Sequence, residues 1–537
     1  MQRTHIHTVG KFLREHGVLL LILAVAIAVR FFALGSIPPG LNQDEASTGY
    51  DAYAILQYGV DRHGFSYPLH LVSWGSGMYA LAAYATVPFL VMFDLSPFAM
   101  RLPHAVFGVI AVLALFEITR RIVDRRTALL AAFLLAISPW HVMASRWGLD
   151  SNLFPPTFLF GVYVLICSLR RPWLFPLACA FFGLCLYSYG TAYVVVPAFL
   201  FLIVPFLRVH WQIGWKPLLT GGAVFGCLAL PVALFLLVNR YEWSSIALGP
   251  LSIPHLLGVP RYHTAAELPH FSAEYAQSML DHMKNLWHLL SSQDDDTLYN
   301  VLPGFGYMYL FSMPFALIGL FLSIQRLLHR RQWQYVFMLA WFAACIPLAI
   351  MLRDININRI NILLLPIIFF LSVGISECVR GRVLLAALVG TYLLSFTQFT
   401  AAYFHEFPQQ IGPQFFESLD AAINEASQRT NGSICITENI NMPYIFVLFS
   451  RKMYPYAFSQ TVQYENPGAE FQQVRSFDRY LFGLDHCDRE HTGAFVVDYG
   501  ELPLFENNPS YDIVRFKNYA AVIHQFPSAE HVATAFP

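Results

Sequence analysis

The stretch Met78-Tyr-Ala-Leu-Ala-Ala-Tyr-Ala-Thr-Val-Pro-Phe-Leu-Val-Met-Phe93 decides how the chain threads. Apolar runs that read as spanning helices begin near Val18, Leu102, Ala128, Phe154, Trp173, Ala192, Leu218, Phe305, Tyr335, Ile360 and Leu384. That is about eleven, each of roughly 17–22 residues, enough to cross a hydrocarbon core. The Met78–Phe93 run would make a twelfth, and charge arbitrates. If it does not cross, Arg120-Arg121 with Arg125-Arg126, Arg170-Arg171, Arg208 to Lys216, Arg326 to Arg331 and Arg380 to Arg382 all fall on the side of the N-terminus. Basic loops gather on the cytoplasmic side of membrane proteins. If the run crosses, most of these clusters move outside. It therefore reads as a helix lying in, or dipping into, the outer interface.

The composition supports a polytopic helical membrane protein rather than a soluble enzyme. Of 537 residues, 56% are hydrophobic and 12% charged. A formal net charge of -1 offers no field for nucleic acid. The polar, basic segment Met1 to His16 precedes the apolar run Val18 to Leu34. No small-residue cleavage site intervenes before Ile37-Pro38-Pro39-Gly40, so the run reads as a retained first span. Residues 1–404 form the membrane domain, with long outer loops at 36–100 and 239–304. From His405 charge and amide content rise, and short β-rich runs at Ser433–Thr437, Ala494–Asp498 and Ala520–His524 mix with a helical stretch from Gln414 to Gln428. Residues 405–537 thus read as a small soluble α/β domain on the extracytoplasmic face. The N-terminus is expected in the cytoplasm of a plasma (inner) membrane protein.

Six cysteines lie in or beside apolar runs, and Cys435 and Cys487 lie in the C-terminal part. No close Cys or His spacing resembles a zinc site. Two readings of the C-terminal pair stand: a disulfide in an oxidising compartment, or a buried Cys435 with a free Cys487.

In this threading the outer face collects the residues fit for chemistry. The first outer loop carries Gly40-Leu-Asn-Gln-Asp-Glu-Ala-Ser-Thr-Gly-Tyr50. Asp44 and Glu45 have a plain structural reading, since Asn42 can cap a helix to about Tyr58 with both acids in its first turn. At a bilayer surface, a carboxylate there can also serve as the general base for a hydroxyl nucleophile. Its companion can orient it, bind the acceptor or ligate a divalent ion. Arg101, Arg146, Asp150, Arg353 and Arg359 meet the same compartment. Asp294-Asp-Asp296 reads as a solvated turn, and His63 and His263 as structural histidines. Aromatic and polar residues mix at Arg240–Trp243, Arg261–His263 and Leu298–Gly306, surfaces that suit sugars and also resemble interfacial aromatic belts.

Several segments in order, Arg101-Leu-Pro-His-Ala-Val-Phe-Gly108, Ile137-Ser-Pro-Trp-His141, Ser145-Arg-Trp-Gly-Leu-Asp-Ser-Asn-Leu-Phe154, Tyr187-Ser-Tyr-Gly-Thr-Ala-Tyr193 and Asn358-Arg-Ile-Asn-Ile-Leu-Leu-Leu-Pro366, accompany the acidic pair. Over about Val18 to Phe404 the chain resembles the GT-C superfamily of membrane glycosyltransferases. The nearest branch looks like the bacterial relatives of protein O-mannosyltransferases and of the lipid A aminoarabinose transferase.

The resemblance implies an inverting glycosyltransferase of the membrane. It would move a hexosyl or pentosyl sugar from a polyprenyl-phosphate carrier to an extracytoplasmic hydroxyl on a glycan, lipid or protein. It implies Asp44 as the catalytic aspartate with Glu45 beside it, and Asp150 as a second acidic position supporting acceptor binding. Arg359, with Arg353 next, would face the carrier phosphate through forked hydrogen bonds. Arg101 and Arg146 would support the site or pair with loop carboxylates and hold the outer loop. No cofactor is required by the pattern, and a divalent metal stays open. The rival class is a polytopic transporter or lipid-carrier flippase, which would favour internal repeats and midplane charges. A third reading keeps the fold as an oligosaccharide ligase or an inactive homologue.

Overall fold

In a computed structural model, residues 2–261 and 272–525 are described, with side chains from His16 onward and Ala273's side chain excepted. His263 lies outside this set. Among the described residues, eight helices are long and apolar enough to cross a membrane: Pro97–Ile122, Asp150–Ser168, Ala192–His210, Trp215–Arg240, Leu310–Leu328, Trp333–Met351, Ile357–Cys378 and Arg382–Ile411. Three shorter apolar helices, His16–Phe31, Leu81–Phe93 and Pro172–Cys185, accompany them.

The run expected to span from Ala128 is broken. Helix α5 (Arg125–Ile137) ends at Ser138, and a short α6 (Pro139–Ala144) follows in a new direction. Pro139 disfavours helical geometry at Ser138, which instead donates its hydroxyl to the Tyr307 carbonyl at 2.8 Å. The break frees the last carbonyls of α5. Arg30, buried near the end of helix α1 (Gln2–Phe31), donates to two of them, Leu135 O at 3.2 Å and Ala136 O at 3.0 Å.

Helix α3 (Leu81–Phe93) covers most of the decisive stretch. Its 13 residues rise about 20 Å, short of the roughly 30 Å hydrocarbon core. It packs against α2 (Gln43–Tyr58) and α4 (Pro97–Ile122) at the end of the bundle that holds Asp44. The arginine clusters lie at the far ends: Arg120 and Arg121 in the last turn of α4, Arg170 and Arg171 just beyond α7 (Phe154–Ser168).

The final long helix runs from Arg382 past the expected boundary at Phe404 to Ile411, so the chain leaves the bundle later than composition suggests. Beyond it lie strands β1 (Ile434–Ile436), β2 (Gln463–Tyr464), β3 (Val474–Phe477), β4 (Tyr480–Phe482), β5 (Ala494–Asp498), β6 (Tyr511–Arg515) and β7 (Tyr519–His524). They form a seven-stranded mixed sheet in the order β2-β3-β4-β1-β5-β7-β6. Central β1 is parallel to both β4 and β5. The helix expected from Gln414 begins at Leu419 and ends at Arg429. Cys435 and Cys487 are bonded, with Cα atoms 6.2 Å apart.

This domain is not a separate bead. Ala46, Tyr50, Ile55 and Trp74 of the outer loop share one apolar core with Tyr444, Leu448, Phe449 and Phe458. The Tyr50 hydroxyl donates to Met453 O at 2.7 Å, and Leu41 N to Phe415 O at 2.8 Å.

Candidate active site

Asn42 starts α2 as a reciprocal capping box. Its side chain accepts from Asp44 N at 2.9 Å, while Asn42 N donates to Glu45 Oε2 at 3.2 Å. The two acids then diverge. Asp44 Oδ1 accepts from the Trp74 indole at 3.2 Å. Its Oδ2 makes no hydrogen bond among the described residues. Burial, with a smaller push from Glu45, raises Asp44 above its ordinary value, while Arg261, the Trp74 hydrogen bond and Arg62 pull it down.

Glu45 is fully buried, and both its oxygens are engaged. Oε1 accepts from Arg101 Nε and Gly148 N, each at 2.8 Å; Oε2 accepts from Arg101 Nη2 at 2.9 Å and from Asn42 N. The catalytic part expected of Glu45 has no free oxygen to act through. The residue clamps the start of α2 to the Trp147-Gly148 turn, where a Cβ on Gly148 would meet the Glu45 side chain at 3.3 Å.

Arg101 completes the clamp. It donates to Pro38 O at 2.7 Å, Gly40 O at 2.9 Å and Leu34 O at 3.3 Å as well as to Glu45. Arg146 pairs with no carboxylate among the described residues. Its guanidinium caps the end of α1 through Val29 O at 2.9 Å, Arg30 O at 3.1 Å, Ala33 O at 3.4 Å and Ile37 O at 2.9 Å, under the rings of Tyr403 and Phe404. Both arginines hold the first outer loop to the bundle, and neither guanidinium is placed to receive a substrate.

Asp150 is linked electrostatically to Asp44. It opens the helical segment leading into α7, accepts from Ser151 N at 2.7 Å and from the Tyr79 backbone, and lies within electrostatic reach of Asp44 and Arg261. Tyr79 packs against Tyr189 at 5.7 Å and Tyr193 at 6.0 Å, an aromatic wall built from the turn singled out in the sequence. Tyr189 in turn senses Asp150, Arg359, Arg261 and Asp44. Arg359 is therefore part of this electrostatic cluster, anchored by a bond to Asp354 O at 2.9 Å. Arg353 is exposed. Asp295 is more than a solvated turn: its Oδ2 accepts from Ile357 N at 3.2 Å and Asn300 at 2.8 Å, tying its loop to the short Ile357–Ile360 helix that carries Arg359. His63 is structural, with Nε2 3.0 Å from Ser73 O and its ring against Phe458.

Sequence reasoning passed over Trp74, and it named Arg261 only within the sugar-suited Arg261–His263 stretch. Arg261 stands on the far long loop, its backbone held to Ser76 O at 3.4 Å and its guanidinium 4.7 Å over Phe471 of the C-terminal domain. Trp74 is set by Gln472 N on its carbonyl at 3.0 Å, Arg62 5.2 Å over its ring and Tyr444 edge-on at 6.0 Å. Arg62 is locked in a buried pair with Asp51 at 2.7 Å. No local pattern marks either residue; the only signal was aromatic and cationic content in both loops. Among the described residues, no group of three or more His, Cys, Asp and Glu side chains is arranged to hold a metal. Asp44 and Asp150 are the carboxylates that could contact one.

The long helical bundle and the outer domain beyond it together have counterparts among solved structures. Residues 80–235 match the sequence model of a family described as dolichyl-phosphate-mannose-protein mannosyltransferase. The fold is shared with ArnT from Cupriavidus metallidurans in the apo state at a TM-score of 0.58 and 12% identity, covering 95% of this chain and 98% of that one. ArnT bound to undecaprenyl phosphate gives the same score and identity, over 94% and 98%. The archaeal oligosaccharyltransferase AglB from Archaeoglobus fulgidus, in complex with an inhibitory peptide and a dolichol-phosphate, aligns at a TM-score of 0.49 and 12% identity, over 96% of this chain and 76% of that one. No curated protein sequence matches the chain.

Proposed function

We propose that the protein moves a sugar from a polyprenyl-phosphate carrier to an acceptor hydroxyl, with inversion, at the end of the bundle that holds Asp44. The observation that carries this reading is the free Oδ2 of Asp44, set by Trp74 on its other oxygen and within electrostatic reach of Asp150 and Arg261, with Arg359 acting on neighbouring Tyr189. The family description names a polyprenyl-phosphate sugar, and one ArnT structure holds undecaprenyl phosphate. Both support a carrier of this kind.

Asp44 Oδ2 takes the acceptor proton as its oxygen bonds to the sugar C1. The C1–O bond to the carrier breaks on the opposite face, and the electron pair leaves on the phosphate. A single displacement of this kind inverts the anomeric centre. Arg359 and Arg261 offset the growing phosphate charge, and Asp150 orients the acceptor. The Tyr79, Tyr189 and Tyr193 wall offers flat apolar surface to sugar or prenyl chain. The site end faces the extracytoplasmic side and the arginine-rich end the cytoplasm, as the basic loops favour.

The test is sugar transfer from a polyprenyl-phosphate donor by the full-length protein in detergent, with and without a chelator. Asp44→Asn keeps the acceptor for Trp74 but loses the base, so the rate should fall by a factor of about 100 to 10,000 with normal thermal unfolding. Because Asp44 must be ionised and burial raises it, wild-type transfer should fade on acidification at a pH above the ordinary aspartate value of 3.8. An Asn variant keeping more than half the rate would end the proposal.

A further inference from the structure

At the end of the bundle opposite Asp44, a cavity of about 980 Å³ opens between the last turn of α4, the last two turns of α7, Trp211 and the Gln334–Phe337 turn. Four guanidinium groups, those of Arg120, Arg121, Arg170 and Arg171, line it. Glu117 is within bonding distance of two of them, at 2.9 Å from Arg120 and closer still to Arg121. Arg121 also lies 5.0 Å over the Tyr163 ring, on the cavity wall. Arg170 and Arg171 have no side-chain ion pair among the described residues. Four cations against one carboxylate leave a net positive pocket.

A scattered basic loop that merely sets topology needs only water around it. Here two arginine pairs from different helices converge on one concavity. Part of its lining is apolar, from Ile122, Val164, Leu169 and Phe337. Its volume is far beyond one phosphate ion and reaches the upper range of small-molecule sites, about 300–1,000 Å³. Charged and apolar lining together match an amphiphile, and basic pockets between membrane helices suit phosphate-bearing headgroups.

We infer that this cavity binds the phosphate headgroup of an anionic membrane lipid, with the arginines on the phosphate and the first methylenes of an acyl chain along the apolar lining. The site is separate from the proposed reaction centre and does not depend on it. Forked Arg–phosphate bonds supply the affinity.

The probe is phosphatidylglycerol, titrated into full-length protein in phosphatidylcholine nanodiscs and counted as retained lipid by native mass spectrometry. Arg170→Gln with Arg171→Gln should weaken retention about 30-fold. The control, Arg330→Gln with Arg331→Gln, removes equal charge from exposed positions outside the cavity and should leave retention unchanged. Thermal unfolding of both variants in lipid-free detergent reports their folding. A second readout needs no arginine variant. Trp211 lines the cavity, so phosphatidylglycerol brominated near its headgroup should quench wild-type fluorescence more than the phosphatidylcholine analogue does, and Trp211→Phe should remove the difference. Equal loss in both arginine pairs would show diffuse surface charge and overturn the site. Displacement of the lipid by inorganic phosphate at matched concentration would overturn the lipid assignment in favour of a free-anion site. Equal quenching by both brominated lipids would also overturn the proposal.

Discussion

The Glu45–Arg101 pair offers the sharpest test of which carboxylate in the acidic pair acts and which only holds. Neither side chain is exposed to solvent. Replacing Arg101 by Met fills much of the same volume but removes both bonds to Glu45 and the bonds to Leu34, Pro38 and Gly40 carbonyls. Glu45 is left buried with only the Asn42 and Gly148 N–H groups. Stranding one partner of a buried pair costs about 3–5 kcal/mol. In Arg101→Met with Glu45→Gln the stranded charge is gone, and the amide oxygen can still accept from Gly148 N. What then remains is chiefly the three carbonyls, about 1–3 kcal/mol for each that stays unmet, a loss the single variant shares. The double variant should therefore be more stable than Arg101→Met alone, the reverse of additivity. Denaturant unfolding of the purified protein, followed by tryptophan fluorescence, reads this directly. Transfer assayed well below the unfolding transition should persist in Glu45→Gln within about tenfold, against the larger loss in Asp44→Asn. A single variant costing under about 1 kcal/mol, or a double variant losing the full sum, would refute the clamp. A Glu45→Gln enzyme as inactive as Asp44→Asn would return Glu45 to the chemistry.

Three further outcomes follow from other parts of the molecule. The Cys435–Cys487 bond, spanning 52 positions, should stabilise the outer domain by about 4 kcal/mol in the chain-entropy treatment; thiol counting under denaturant without reductant should find neither cysteine reactive, and two reactive thiols would disprove the bond. Burial, then Asp51, raises Asp61 to about 7 from 3.8, and its Oδ2 has no hydrogen-bond partner among the described residues. A raised folded-state value means stability present at low pH is lost as pH climbs through that interval, so Asp61→Asn should flatten the fall in unfolding free energy toward pH 7. In a background with exposed Cys227 and Cys378 changed to Ser, Asn507→Cys should react with an impermeant thiol reagent outside intact cells and Arg330→Cys should not. The opposite pattern would invert the topology.

How much was legible follows the range of each signal. The Asn42 cap, the extent of α2 and three of the seven outer-domain strands rest on local chemistry, and they stand where the sequence placed them. The arginines show what local reading lacks. Their positions at helix ends were visible, but their partners were decided by distant breaks. Arg146 faces carbonyls because α1 ends in a turn at Ala33–Ile37, and Arg30, hidden within an apolar run, is needed because α5 stops at Ser138. Sequence marks a guanidinium's place along a helix, not whether a carboxylate or a frayed carbonyl end waits across from it.

The C-terminal domain was the part with no readable motif, and its role emerges only from contacts. Trp74 orients Asp44, yet Trp74 is itself fixed by Gln472 and Tyr444, and Arg261 rests on Phe471. Those supports all come from beyond the last span. The apolar face of α2 behind the acidic pair is buried by Leu448 and Phe449, and a Cβ on Gly49 would strike Phe449 at 2.8 Å. Removing the outer domain would expose that face and take away these supports of Trp74 and Arg261, even with every spanning helix intact. A domain that looked like an appendage in composition shares a core with the helix that carries Asp44 and with Trp74. Its sequence has to be read as part of the site.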